Sequence, residues 1–238
     1  MAETTKAWFK DWSNEYDQTL GKMKRHLDML DLVVDMSKVK DAERVLDIGC
    51  GTGLLSLKFL EAAKCTVDGI DLSEAMLNIW KDKINRLNLS NRVNIKLEDA
   101  ANPEFKESSF DIIASTVTLH HIKEKQPAID KIYKLLKPKG RFLIGDLDVD
   151  TSGSLDDIKR LRHIMDYLKD ELSQALRDGG RDAFIRMYDN GKKHILNDGE
   201  YCINFENWTQ LCKNSGFKNI TVLPLKSFSW IKVLRAEK

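Results

Sequence analysis

The chain has 238 residues, of which 42% are hydrophobic and 32% charged, and its formal net charge is +1. This composition predicts a globular fold with a sizeable core, and the balanced charge excludes a dominant attraction to nucleic acid or to an anionic membrane. No run approaches the ~20 apolar residues of a membrane helix, the first residues lack the apolar stretch of a secretory signal, and the four cysteines (Cys50, Cys65, Cys202, Cys212) show no C-x-x-C spacing. A reduced, cytoplasmic protein without a disulfide framework is expected.

From Leu20 to Val39 apolar residues recur at three- and four-residue steps (Leu20, Met23, Leu27, Leu30, Val33, Val34), which predicts an amphipathic helix. Trp8, Phe9, Trp12 and Tyr16 predict a short aromatic helix or arm before it. A regular alternation follows. Strands are predicted at 45–49 (VLDIG), 65–72 (CTVDGIDL), 93–99 (VNIKLED), 110–117 (FDIIASTV) and 140–147 (GRFLIGDL), and helices at 52–64, 73–87 and 122–137. Ser73 is placed to cap the second of these helices, whose Met76, Leu77, Trp80 and Ile84 share a face. Strands spaced by helices imply a parallel sheet covered on both faces and wound in both directions through right-handed crossovers. After Asp150 the rhythm breaks. Residues 154–190 read as charged helix, and 204–217 as a further helix ending at Gly216. Runs 219–225 and 227–236 read as closing strands joined too tightly for a crossover, hence antiparallel.

VLDIGCGTG (45–53) ends a predicted strand in three alternate glycines, a turn in which backbone N–H groups approach a ligand closely. A nucleoside-triphosphate loop needs a lysine that is absent here. A dinucleotide loop spaces its third glycine one residue further on, and Asp47 two residues before Gly49 would repel a pyrophosphate while favouring an ammonium or sulfonium. Asp71 at the end of strand two is placed to accept two ribose hydroxyls, and Asp99 at the end of strand three to reach an adenine. Each acid alone could be a helix cap or a solvated group. Three at successive strand ends beside a glycine loop lie on the edge where open α/β sheets bind ligands.

VLDIGCGTG, IDLSEAM, LEDAA, FDIIASTVTLHHI and LKPKGRFLIGDL together resemble, in order, the motifs of class I S-adenosylmethionine-dependent methyltransferases, and within them the small-molecule branch related to ubiquinone and menaquinone biosynthesis. The resemblance implies an α/β fold: a doubly wound, seven-stranded, mostly parallel sheet with an antiparallel last strand, in the Rossmann-like methyltransferase form. It divides a single domain, 1–238, into a helical lid (1–40), a cofactor-binding core (41–147), a helical substrate cap inserted after strand five (148–203), and a last helix with a C-terminal hairpin (204–238). The implied cofactor is S-adenosylmethionine, with S-adenosylhomocysteine as product. Asp47, Gly49, Cys50 and Gly51 would border its methionine part. Asp71 would hold the ribose and Leu72 flank the adenine, with Met76 near the nucleoside. Asp99 and Ala100 would meet the adenine edge, and Ser115 and Thr116 would lie against the methionine tail. Tyr16, in a Tyr-Asp pair with Asp17, would close over the cofactor from the lid.

Methyl transfer from a sulfonium is an in-line displacement, so alignment and proton handling are the tasks left to side chains. His120 and His121 are candidate bases, against the plainer reading of histidines at a helix start. Asp146, Tyr188 and His194 are candidates to line the substrate pocket, against plain packing roles. The run DLDVDTSGS lacks the Gly and Glu of a calcium loop, so no metal is expected. The expected partner is a small-molecule acceptor, with neither nucleic acid nor membrane, and a homodimer stays open. The alternative function is a cofactor-binding sensor or scaffold subunit without transfer activity, and hydride transfer is a more distant option on fold grounds alone.

Overall fold

Period-two alternation of aliphatic residues with both faces apolar makes the central strands, and the computed structural model shows which face each residue takes. It describes residues 16–18, 20–197 and 200–238, the side chains at 194 and 197 excepted. Trp8, Phe9 and Trp12 lie outside the described residues. The strands are β1 (Arg44–Ile48), β2 (Thr66–Asp71), β3 (Val93–Leu97), β4 (Phe110–Thr116), β5 (Leu136–Leu147), β6 (Lys218–Pro224) and β7 (Ile231–Glu237). They form one sheet in the order β3-β2-β1-β4-β5-β7-β6. The first five run parallel, and β7 pairs antiparallel with both β5 and β6. This is the Rossmann-like doubly wound arrangement expected from the sequence. Its direction of winding reverses between β1 and β4, so the ligand-binding crevice falls at their C-terminal ends.

Two buried clusters cover the two faces. Val45, Val67, Ile112, Ala114 and Leu143 pack under α1 (Lys24–Ser37), α2 (Leu54–Ala62) and α3 (Glu74–Arg86). Leu46, Ile70, Ile113, Phe142 and Ile144 pack under α4 (Lys125–Leu135) and α6 (Phe205–Ser215). Asp47 shares the parity of Val45, so it points beneath α2. Helix α1 crosses the sheet at Gly145, where a Cβ would stand 3.0 Å from Met29 and 3.2 Å from Val33. Ser73 caps α3 by accepting the Met76 amide, as its sequence position predicts.

The region after β5 departs from the sequence reading in two ways. One helix, α5 (Ile158–Asn190), is broken at Gly179 and Gly180, where φ and ψ leave the helical range, and it runs into a π-helical turn, Gly191–Asn197. The closing hairpin has a longer connection than predicted, because residues 225–230 leave the sheet and Leu225 and Phe228 turn into the core. No helix among the described residues is long and apolar enough to cross a membrane.

Candidate active site

The glycine loop is wound onto β2. The amides of Gly49 and Cys50 both donate to the Ile70 carbonyl, at 2.8 and 2.9 Å. The Gly51 amide donates to Asp71 Oδ2 at 2.8 Å, and the Ser73 amide to Asp71 Oδ1 at 2.8 Å. The three glycines are needed for different reasons. A Cβ on Gly49 would fall 2.1 Å from Thr118, and one on Gly53 would fall 2.2 Å from the Trp80 ring. A Cβ on Gly51 would meet nothing within 4 Å, although its φ of +51° is left-handed. Gly51 is therefore the glycine that faces open space. Cys50 turns its thiol into the core, against the position of a Gly69 Cβ.

Asp47 is 1% exposed and accepts a hydrogen bond from Ser56 Oγ at 2.6 Å. Burial, with the nearby Asp71 charge adding to it, pushes its carboxyl up to about 7 against the Ser56 hydrogen bond. Burial also raises Asp71, against the backbone amides that it accepts. Above them, Tyr16 is fixed by its neighbour: Asp17 accepts from Thr52 Oγ1 at 2.6 Å and pairs with Lys83 Nζ at 2.5 Å, while Lys83 also donates to the Thr52 carbonyl at 2.8 Å. Burial first, then the charges of Asp71, Asp17 and Asp47, hold the Tyr16 phenol well above its ordinary value.

A groove of about 50 Å³ runs along Gly49, Gly51, Asp71, Leu72, Ser73 and Met76, closed by Tyr16, Val117, Thr118 and His121. Behind it lies a second cavity of about 120 Å³ that shares Tyr16, Val117 and His121. Its apolar wall includes Met23, Met29, Leu147, Met187 and Ile231, and its polar groups include Arg25, His26, His120, Tyr167, Glu171 and Glu200. Val117 joins the two spaces with φ of 48°, a strained value for a β-branched residue.

Not every residue expected from the sequence lines these spaces. Asp99 is exposed where the chain turns outward after β3, and it accepts the Ala101 amide, while Ala100 is in the core. Ser115 is fully buried and donates to the Ile48 carbonyl, tying β4 to β1. Thr116 lines neither space; the next two residues do. Tyr188 is 49% exposed and outside the cavity wall, because it stands one helical step from the buried Met187. His194 belongs to the π-helical turn, and its side chain lies outside the described residues. Asp146 is buried behind His120, whose Nδ1 stands 2.7 Å from its Oδ1. Burial lowers His120, but the Asp146 charge and hydrogen bond, with Glu200, outweigh it and hold the imidazole above its ordinary value. Arg25 was missed by sequence reasoning: only 5% exposed, it reaches Glu171 at 2.5 Å and Asp178 at 2.6 Å across from α5.

An open α/β sheet with a groove at its switch point, a glycine cradle, and a carboxylate at the end of the second strand defines a nucleoside-binding fold. Comparison with known proteins narrows the class. A family model described as a methyltransferase domain matches residues 39–199. The chain is 29% identical over 138 residues to the 27-O-demethylrifamycin SV methyltransferase of Amycolatopsis mediterranei, covering 57% of this chain and 51% of that protein. It is 33% identical over 122 residues to a ubiquinone/menaquinone biosynthesis C-methyltransferase of Blochmanniella floridana, covering 50% of this chain and 48% of that protein. The chain thus spans about half the length of these curated relatives. A solved Haemonchus contortus phosphoethanolamine N-methyltransferase 2, in complex with phosphomonomethylethanolamine and S-adenosylhomocysteine, shares the fold with a TM-score of 0.68 at 18% identity, over 96% of this chain and 58% of that one. This chain belongs to the methyltransferase-domain family and has its Rossmann-like fold.

The residues present fit that family's cofactor. The space above Gly51 is a cradle that a side chain would fill, and each Asp71 oxygen accepts one amide with a lone pair left for a hydroxyl. The buried Asp47 and Asp71 favour a ligand bearing positive charge.

Proposed function

We propose that the protein transfers a methyl group from S-adenosylmethionine to a small acceptor held in the cavity behind the cofactor groove. The observation that carries this reading is the shared wall: Tyr16, Val117 and His121 line both the groove and the cavity. A sensor or scaffold subunit needs the groove alone; a second, mostly apolar chamber abutting it is what a two-substrate enzyme requires.

When bound, the cofactor supplies an electrophilic methyl carbon on a sulfonium. Asp71 would hold its ribose, Leu72 and Met76 would flank the nucleoside, and Gly51 would let the methionine end approach the backbone. Tyr16 would shut the groove from above, held down by the Asp17–Lys83 pair. The apolar wall excludes water from the acceptor, and His120, His121 and Glu200 form the polar end toward which a heteroatom would turn. In this reading residues 1–40 and 148–203 serve as lid and cap over the core at 41–147, with 204–238 completing the sheet, and enclosure of the cavity favours a compact molecule over nucleic acid or a protein segment.

Incubation with S-adenosylmethionine and a panel of amine, phenol, thiol and carbon acceptors, with product masses read directly, tests the proposal. At least one acceptor should gain a single methyl group with stoichiometric S-adenosylhomocysteine. Cofactor binding with no methylated product across the panel would favour the sensor instead.

A further inference from the structure

Three ligand-type side chains converge at the polar end of the acceptor cavity. His120 Nε2 stands 3.7 Å from Glu200 Oε2, and His121 Nδ1 stands 3.8 Å from Glu200 Oε1. One nitrogen from each ring and one Glu200 oxygen all lie within 4.8 Å of one another. Zinc–nitrogen and zinc–oxygen bonds of about 2.0–2.2 Å give a ligand–ligand edge of about 3.4 Å in a tetrahedron. Each histidine nitrogen thus stands within a few tenths of an ångström of that edge from one oxygen of the Glu200 carboxylate, His120 from Oε2 and His121 from Oε1. The two imidazoles lie side by side, with ring centroids 4.1 Å apart.

The shell behind these residues is also that of a metal site. A metal-bound histidine ordinarily presents its second ring nitrogen to a carboxylate, which fixes its tautomer. His120 does this with Asp146 at 2.7 Å. Asp146 Oδ2 is buried without a hydrogen-bond partner, while Oδ1 also accepts the Leu147 amide. Lys125 braces the site through the backbone. Its ammonium donates to the carbonyls of Ile122 at 2.5 Å, Tyr201 at 2.6 Å and His120 at 3.3 Å, which binds the histidine turn to the segment that carries Glu200. The lysine thus sets the register of the three ligands.

We propose that His120, His121 and Glu200 bind a divalent transition-metal ion, with a coordination position open to the cavity where the acceptor's heteroatom docks. Two imidazoles and one carboxylate suit zinc, iron(II) or cobalt(II) rather than magnesium or calcium, and three protein ligands leave a position free. The ion's binding stands on these residues alone. Its role toward the acceptor rests on the methyl-transfer reading above: an alcohol, phenol or thiol coordinates as its anion and releases one proton to water. The imidazoles then act as ligands, and acidifying the acceptor falls to the ion.

Chelator-stripped protein is titrated with Zn²⁺ alone by calorimetry, and with Co²⁺ by its visible d–d absorption, for wild type, Glu200→Gln and His120→Gln. The wild type should bind one ion per chain, and each variant should bind it at least about tenfold more weakly while its thermal unfolding stays cooperative. Glu200→Gln, which keeps the side chain's shape, is decisive if His120→Gln does not fold. Absence of saturable binding to the wild type, or undiminished binding to Glu200→Gln, overturns the site. The titration needs neither cofactor nor turnover, so its failure leaves the methyl-transfer reading intact. A separate titration with S-adenosylhomocysteine tests that reading.

Discussion

Replacing Asp47 with asparagine should remove a pH dependence from the stability of the ligand-free protein. The carboxyl is pushed up to about 7 by burial and by Asp71, against an ordinary 3.8. Below pH 3.8 folded and unfolded chains both hold the proton. Between 3.8 and about 7 only the folded chain does, so stability is lost as pH rises, by up to about 1.4 kcal/mol per unit. From pH 5 to pH 7 the loss comes to about 2 kcal/mol after allowing for half-titration at the upper end. The wild-type curve alone does not isolate this. His26 works in the opposite sense over nearly the same interval, since burial and Arg25 lower it to about 4 and its stability contribution is lost as pH falls from 6.5. The difference between wild type and Asp47→Asn cancels His26, and asparagine keeps an oxygen for the Ser56 hydroxyl. Urea unfolding of both proteins at pH 5, 6 and 7 supplies the comparison. The wild type should gain about 2 kcal/mol on the variant at pH 5 relative to pH 7. A gap constant within about 0.5 kcal/mol would refute the reasoning, because Asp47 would then titrate like an ordinary carboxylate.

Gly51→Ala and Gly53→Ala should separate the ligand-facing glycine from the packing glycine. The first meets no atom and pays only for its left-handed backbone, about 1 kcal/mol or roughly 3 °C in Tm, yet it should weaken S-adenosylhomocysteine binding about tenfold or more by occupying the cradle. The second drives a methyl into Trp80 and should lower Tm several times further. If Gly51→Ala binds the cofactor product as tightly as wild type in calorimetry, the cradle is misassigned. Arg25→Met leaves the buried Glu171 without its cation, and should cost about 3 kcal/mol in urea unfolding near pH 8. Adding Glu171→Gln should recover part of that loss, and a double variant no more stable than Arg25→Met would show that the pair does not carry the contact between α1 and α5.

The residues around the groove were legible in the sequence because their determinants are local. Strand parity puts Asp47 on the same face as Val45, and the position of Asp71 at the end of the second strand follows from the alternation itself. What the glycine spacing could not reveal was which glycine faces open space, since that depends on Thr118 and Trp80, which arrive from other elements. Asp99's position at a strand end was visible, but not the local turn in which its Oδ1 accepts the Ala101 amide.

The cavity behind the groove depends on contacts that no local pattern encodes. Arg25 occupies what reads as a polar position on an amphipathic helix, and it is buried only because carboxylates 146 and 153 residues further along the chain come to meet it. Tyr188 could not be placed by counting, because the break at Gly179 and Gly180 resets the helical phase and sends Met187 inward in its place. Glu200 lies in an irregular segment with no periodicity to phase it. Its position is set by Lys125, a residue of another helix, gripping the Tyr201 carbonyl beside it. This carbonyl–ammonium contact, together with the Thr151 amide and hydroxyl that donate to the Cys202 carbonyl, holds the segment in which Glu200 stands opposite the two histidines. If the three residues bind a metal as proposed, Lys125→Met should weaken Zn²⁺ binding while leaving S-adenosylhomocysteine affinity in place. Loss of both together would mean that the lysine holds up the fold rather than the site.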